Sequence, residues 1–134
     1  MKIPIHRLLL AVACSLICQT SEARLSVEVA EPKQTANKVV VKLTMKNLFA
    51  EKVESARATI FLTDAQGKVV GQMTQWVIGG TKDRPELKPD ATGIFNFVIT
   101  TDQPFTKTQL LFNRVILDGG KVAEPNGAAE ISYK

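Results

Sequence analysis

The chain has 134 residues, a formal net charge of +4 at pH 7, 2 cysteines and 1 histidine, which bounds it to one mildly basic domain. That charge excess is too small to argue for nucleic acid as a partner. With cysteine and histidine so scarce, most transition-metal and nucleophile chemistry is closed before any motif is read.

The first residues have the order of an export signal. Lys2, His6 and Arg7 make a positive start, residues 8–18 are an apolar run, and the small residues Ser21 and Ala23 precede a cut before Arg24. Residues 1–23 are therefore expected to be removed, leaving residues 24–134 as one domain in the periplasm or outside the cell. The apolar run is shorter than the ~20 residues a bilayer span needs, so no transmembrane segment is expected in the mature chain. Lipid attachment at Cys14 is the rival reading, but Ala11 stands where a lipobox takes leucine and the apolar run continues past Cys14. Cys14, Cys18 and His6 all lie in the leader, so the mature domain is expected to be held by core packing without disulfides.

From Leu25 onward, short alternating runs are separated by turn signals, the pattern of an all-β sandwich. Leu25, Val27 and Val29 alternate with polar residues until Pro32. Val39, Val41, Leu43 and Met45 then alternate with Val40, Lys42, Thr44 and Lys46, which predicts a strand with one face buried and its lysines in water. Ala56, Ala58, Ile60 and Leu62 mark a third strand. Asp64 and Gly67 bracket a four-residue turn closed by a left-handed glycine, so a hairpin returns along residues 68–78. Gly79 and Gly80 break that strand, residues 81–86 are too charged to be buried, and Leu87-Lys88-Pro89-Asp90 makes a further turn. Phe95, Phe97 and Ile99 alternate with Ile94 and Val98, a two-faced apolar strand expected in the middle of a sheet. Residues 109–117 give a sixth strand, Asp118-Gly119-Gly120 a turn, and residues 129–133 a seventh. About seven antiparallel strands predict an immunoglobulin-like or fibronectin-like sandwich.

Over residues 39–99 the chain sets out a strand ending in Lys46-Asn47, then Ile60-Phe61-Leu62-Thr63-Asp64 leading to Gly67-Lys68-Val69-Val70, then Leu87-Lys88-Pro89 before Phe95-Asn96-Phe97. This order of segments resembles the FxLyD-type group of exported bacterial sandwich domains. Thr63 stands where that pattern has an aromatic, and Asp90 where it has a glycine. The resemblance implies a sandwich and adds nothing on mechanism.

Little in the mature chain suits catalysis. Serine or cysteine hydrolysis draws on histidine as proton acceptor, and Ser26, Ser55 and Ser132 have no lysine motif beside them. No cofactor is expected, because the glycine pairs sit at strand ends and neither a phosphate loop nor a dinucleotide fingerprint is present. Calcium needs only oxygens, yet Asp83, Glu86 and Asp90 lack the spacing of a calcium loop and are interrupted by Arg84 and Lys88. Glu28, Glu51, Glu54 and Asp102 are scattered, so a carboxylate hydrolase is the least favoured reading.

Two surfaces remain. Lys38, Lys42 and Lys46 share one strand face, with Arg57 expected on the next strand beside them; such lysines more often keep a strand soluble than bind. Trp76 is expected either as a core ring or as an exposed platform next to Gly79 and Gly80. Lys82 and Arg84 add charge to the adjoining loop. The sequence thus points to a non-catalytic exported binding or assembly module. Its expected partner is another exported or envelope protein, met through an open strand edge or the loop over residues 79–90. An anionic glycan or lipid surface, met through Trp76 or the lysine stripe, is the alternative.

Overall fold

A computed structural model describes residues 24–134, so the expected leader with His6, Cys14 and Cys18 lies outside the described residues. Nine strands form among the described residues: β1 (Leu25–Val29), β2 (Lys33–Thr35), β3 (Lys38–Asn47), β4 (Val53–Thr63), β5 (Val69–Ile78), β6 (Thr92–Thr100), β7 (Lys107–Leu117), β8 (Val122–Ala123) and β9 (Ala129–Tyr133). A 3-10 turn spans Asp118–Gly120 and a one-turn helix, α1, spans Pro125–Ala128.

These strands make the two layers of an immunoglobulin-like sandwich. In the first sheet β3 is central: β6 runs along one side, and β1 and β2 share the other, with β9 beyond β1. The second sheet runs β5-β4-β7-β8. Alternation sets the core directly: Val39, Val41, Leu43 and Met45 of β3 are fully buried against the apolar faces of β4 and β7, while the even-numbered residues turn outward. The Asp64 turn forms as its residues predict, with the Asp64 carboxylate accepting from the amides of Gln66 and Lys68 and Gly67 at φ 83°.

The structure corrects the expected pattern in three places. β9 joins β1 in parallel, so the strands are not all antiparallel. β2 and β8, of three and two residues, escape a reading based on alternation because neither is long enough to alternate. β6 is an edge strand that hydrogen-bonds only to β3, rather than a central one. Its second apolar face is not covered by another layer: Ile94 is 60% and Val98 46% exposed, with Val98 opposite Val40 on the outer surface. Apolarity on both faces therefore reports a solvent-facing cross-strand pair here, not centrality.

Asn47 ends β3 at a position whose parity points inward, and it is fully buried. Its amide nitrogen donates to the carbonyls of Glu51 and Leu87, each at 2.9 Å, and its oxygen accepts from the Phe49 amide at 2.8 Å. One side chain thereby fastens the β3–β4 loop to the loop before β6. Leu87 in turn exchanges two backbone hydrogen bonds with Val53, so this loop is tied to both sheets.

Candidate functional site

The two long sides of the sandwich differ. Where β5 and β6 approach, residues 79–91 cross one end of the gap: the Gly79 amide donates to the Pro85 carbonyl, and the Arg84 guanidinium donates to the Trp76 carbonyl. Arg84 also lies 4.6 Å above the Phe95 ring. Its charge is thus spent within the fold, capping an edge carbonyl and covering an aromatic face. Lys82 remains exposed at the loop tip. Of the loop acids Asp83, Glu86 and Asp90, Glu86 pairs with Lys52 at 3.2 Å. Among the described residues no three acid, cysteine or histidine side chains gather as a metal site requires.

The Glu86 carboxylate, through a hydrogen bond and its charge, holds the Lys52 ammonium above its ordinary range. A raised lysine contributes stability at neutral pH and loses it only as pH climbs through the raised value, and an exposed pair of this kind contributes little.

The opposite side is open. β8 pairs with β7 only at Val115 and Ile116, leaving the outer edge of β7 from Lys107 to Asn113 without a strand among the described residues. The Leu110 amide points off this edge and donates to the Tyr133 hydroxyl of β9 at 2.9 Å. Because backbone groups of alternate strand residues point the same way, the Thr108 and Phe112 amides share that direction. Neither has a main-chain partner among the described residues. Between this edge and β9 runs a groove of ≈ 860 Å³ lined by Glu31, Pro32, Phe105, Lys107, Tyr133 and Lys134 among others.

The residues singled out from sequence do not form one site. Lys38, Lys42 and Lys46 do share the outer face of the first sheet and are exposed, roughly 13 Å apart along the strand. Arg57, expected beside them, lies on β4 of the other sheet, because the chain crosses from β3 to the second layer instead of pairing with it. There Arg57 stands between Trp76 and Arg114, in register with both. Trp76 is half-buried on the outer face rather than in the core, its indole against Gly80 and 6.0 Å from the Arg57 guanidinium carbon. Sequence reasoning missed Tyr133, Arg114 and the β7 edge. A signal for Arg114 existed: inward residues fall at Leu110 and Phe112, then at Val115 and Leu117, and that change of parity marks the bulge at Asn113.

These features define a two-sheet β-sandwich with a pinned loop on one side and, on the other, the β7 edge left open beside a groove. No family model matches the chain, and no curated protein matches it. Among solved structures, it is similar to IrmA from Escherichia coli, 11% identical with a TM-score of 0.55 over 81% of this chain and 91% of that one. It is also similar to a chain from Bordetella pertussis described as ApaA, 16% identical with a TM-score of 0.53 over 74% of this chain and 84% of that one. At such identities the likeness speaks to the fold alone. No helix among the described residues is long and apolar enough to cross a membrane.

Proposed function

We propose that this protein is an exported, non-catalytic binding module that takes an extended segment of another exported or envelope protein as an added strand along the outer edge of β7. The observation that carries this reading is the unpaired run of β7 beside a groove, where a tyrosine hydroxyl stands in for the missing strand at Leu110. An added strand would supply main-chain partners to Thr108 and Phe112 and set alternate side chains into the groove against Phe105 and Tyr133. The edge is guarded lightly. Lys107 and Lys134 flank it, and charge of that kind discourages self-pairing without preventing a partner of suitable sequence.

The test is Thr108→Pro. Proline removes only the outward amide at this position, which an edge strand tolerates, so the fold should stay within about 1 kcal/mol of the parent. Selection from a displayed library of random linear peptides should enrich segments with alternating apolar residues, and Thr108→Pro should abolish their binding. Failure to enrich any peptide, or binding that survives the proline, would overturn the reading.

A further inference from the structure

We infer that the outward row Trp76, Arg57 and Arg114 on the second sheet binds an acidic saccharide, a sugar bearing sulfate, phosphate ester or carboxylate. None of these three residues lines the β7–β9 groove, and the surface stands or falls independently of it.

The register places the three residues side by side on β5, β4 and β7. With neighbouring strands about 4.8 Å apart, two guanidinium forks can close on one oxyanion. Two like charges directly opposite each other cost a sheet stability unless something neutralises them, and no ion pair among the described residues does so here. The ion pairs among the described residues involve neither Arg57 nor Arg114. Glu54 is the sole acid on β4, β5 and β7, and its carboxylate accepts from the Gly119 amide. Glu124 follows β8 and comes level with Arg114, but forms no ion pair with it.

The surroundings are already ordered for a ligand. The bulge at Asn113 turns Asn113 and Arg114 together to the outer face. The Thr59 hydroxyl donates to the Asn113 amide oxygen at 3.0 Å, and the amide nitrogen, with no hydrogen-bond partner among the described residues, is left as a donor. Thr59 shares a 2.7 Å hydrogen bond with Thr74, whose strand neighbour Trp76 is fixed through its carbonyl by Arg84 and through its ring by Gly80. Paired guanidinium groups match an oxyanion, and an indole edge with amide and hydroxyl donors matches the ring and hydroxyls of a sugar. A flat anionic membrane would favour basic residues gathered on one face. Here they are divided, with Lys38, Lys42 and Lys46 on the outer face of the opposite sheet.

Trp76 is the chain's single tryptophan, so its emission reports on this row alone. The purified protein would be titrated with a sulfated oligosaccharide prepared from heparin, with its desulfated counterpart, and with inorganic sulfate. A saturable change with the sulfated sugar is expected, weakened about tenfold or more in Arg57→Gln and in Arg114→Gln and unaltered in Lys42→Gln. Both arginine variants should keep the strand-rich far-ultraviolet spectrum, because each relieves a repulsion. No saturable change, or affinity that survives both arginine substitutions, would overturn the proposal. So would equal weakening by Lys42→Gln, or inorganic sulfate alone binding as tightly as the sugar.

Discussion

Replacement of Asn47 by alanine is expected to destabilise the domain by about 3 kcal/mol, a fall in melting temperature on the order of 12 °C for a domain of this size. The side chain has no exposure and makes three hydrogen bonds, two donated to the carbonyls of Glu51 and Leu87 and one accepted from the Phe49 amide. Alanine removes all three and leaves the Leu87 carbonyl sharing only its bond from Val53. Each hydrogen bond lost at a buried site costs about 1 kcal/mol, and more where the group left behind is cut off from water. Asn47→Asp is the informative companion. It keeps the acceptor for Phe49 but turns a carboxylate oxygen toward two carbonyls, so it should be no better than alanine. Thermal or urea unfolding of both variants reads the effect; a loss below about 1 kcal/mol for alanine would show that Asn47 is not the tie between the loops.

Gly79→Ala is expected to cost more than about 3 kcal/mol. Gly79 has a φ of 54°, and a β-carbon there would lie 1.9 Å from the Glu54 carbonyl oxygen and 3.2 Å from the Ser55 α-carbon. These are backbone atoms of β4, so relief requires the strand itself to shift and cannot come from a side-chain rotation. The same residue donates its amide to Pro85, so the shift would also loosen the loop that closes the β5–β6 side. Gly119→Ala separates crowding from conformation. Gly119 has a φ of 77° with nothing within 4 Å of the added carbon, so it should cost only the ~1 kcal/mol of a left-handed backbone. Equal unfolding midpoints for the two variants would contradict the crowding argument.

Both positions bear on how much of the molecule its sequence discloses. Strand faces were legible because a period of two leaves little freedom: the parity of Val39 to Met45 put the lysines in water and, carried one step further, puts Asn47 inside. A buried amide at a strand end was thus open to inference, although its three partners were not, since two of them belong to loops. Neighbours between strands were not legible. Alternation says which way a side chain points and not which strand lies beside it, and this is why Arg57 parted from the lysines and joined Trp76. The open β7 edge was invisible for a related reason. Whether an edge is covered depends on where β8 stops and where Tyr133 lands, and both follow from the path of the last twenty or so residues rather than from any local pattern.

The asymmetry between the two sides gives these details a common sense. On the β5–β6 side, Arg84 caps the Trp76 carbonyl and the Gly79 amide bonds to Pro85, and substitutions at Gly79 or Asn47 act by loosening that loop. On the β7–β9 side one hydroxyl does what a strand would do. Proteins usually cover or charge a long free edge, and the proposed strand-adding role rests on this one lying uncovered beside an aromatic-lined groove.

Residue-resolved amide hydrogen exchange along β7 tests this most directly. The Thr108 amide should exchange nearly as fast as the loops while Gln109 and Leu111, bonded across to β4, stay protected. Leu110 should fall between them and speed up in Tyr133→Phe. Uniform protection from Thr108 to Leu111 would mean that the edge is already covered, and the binding surface assigned to it would not exist.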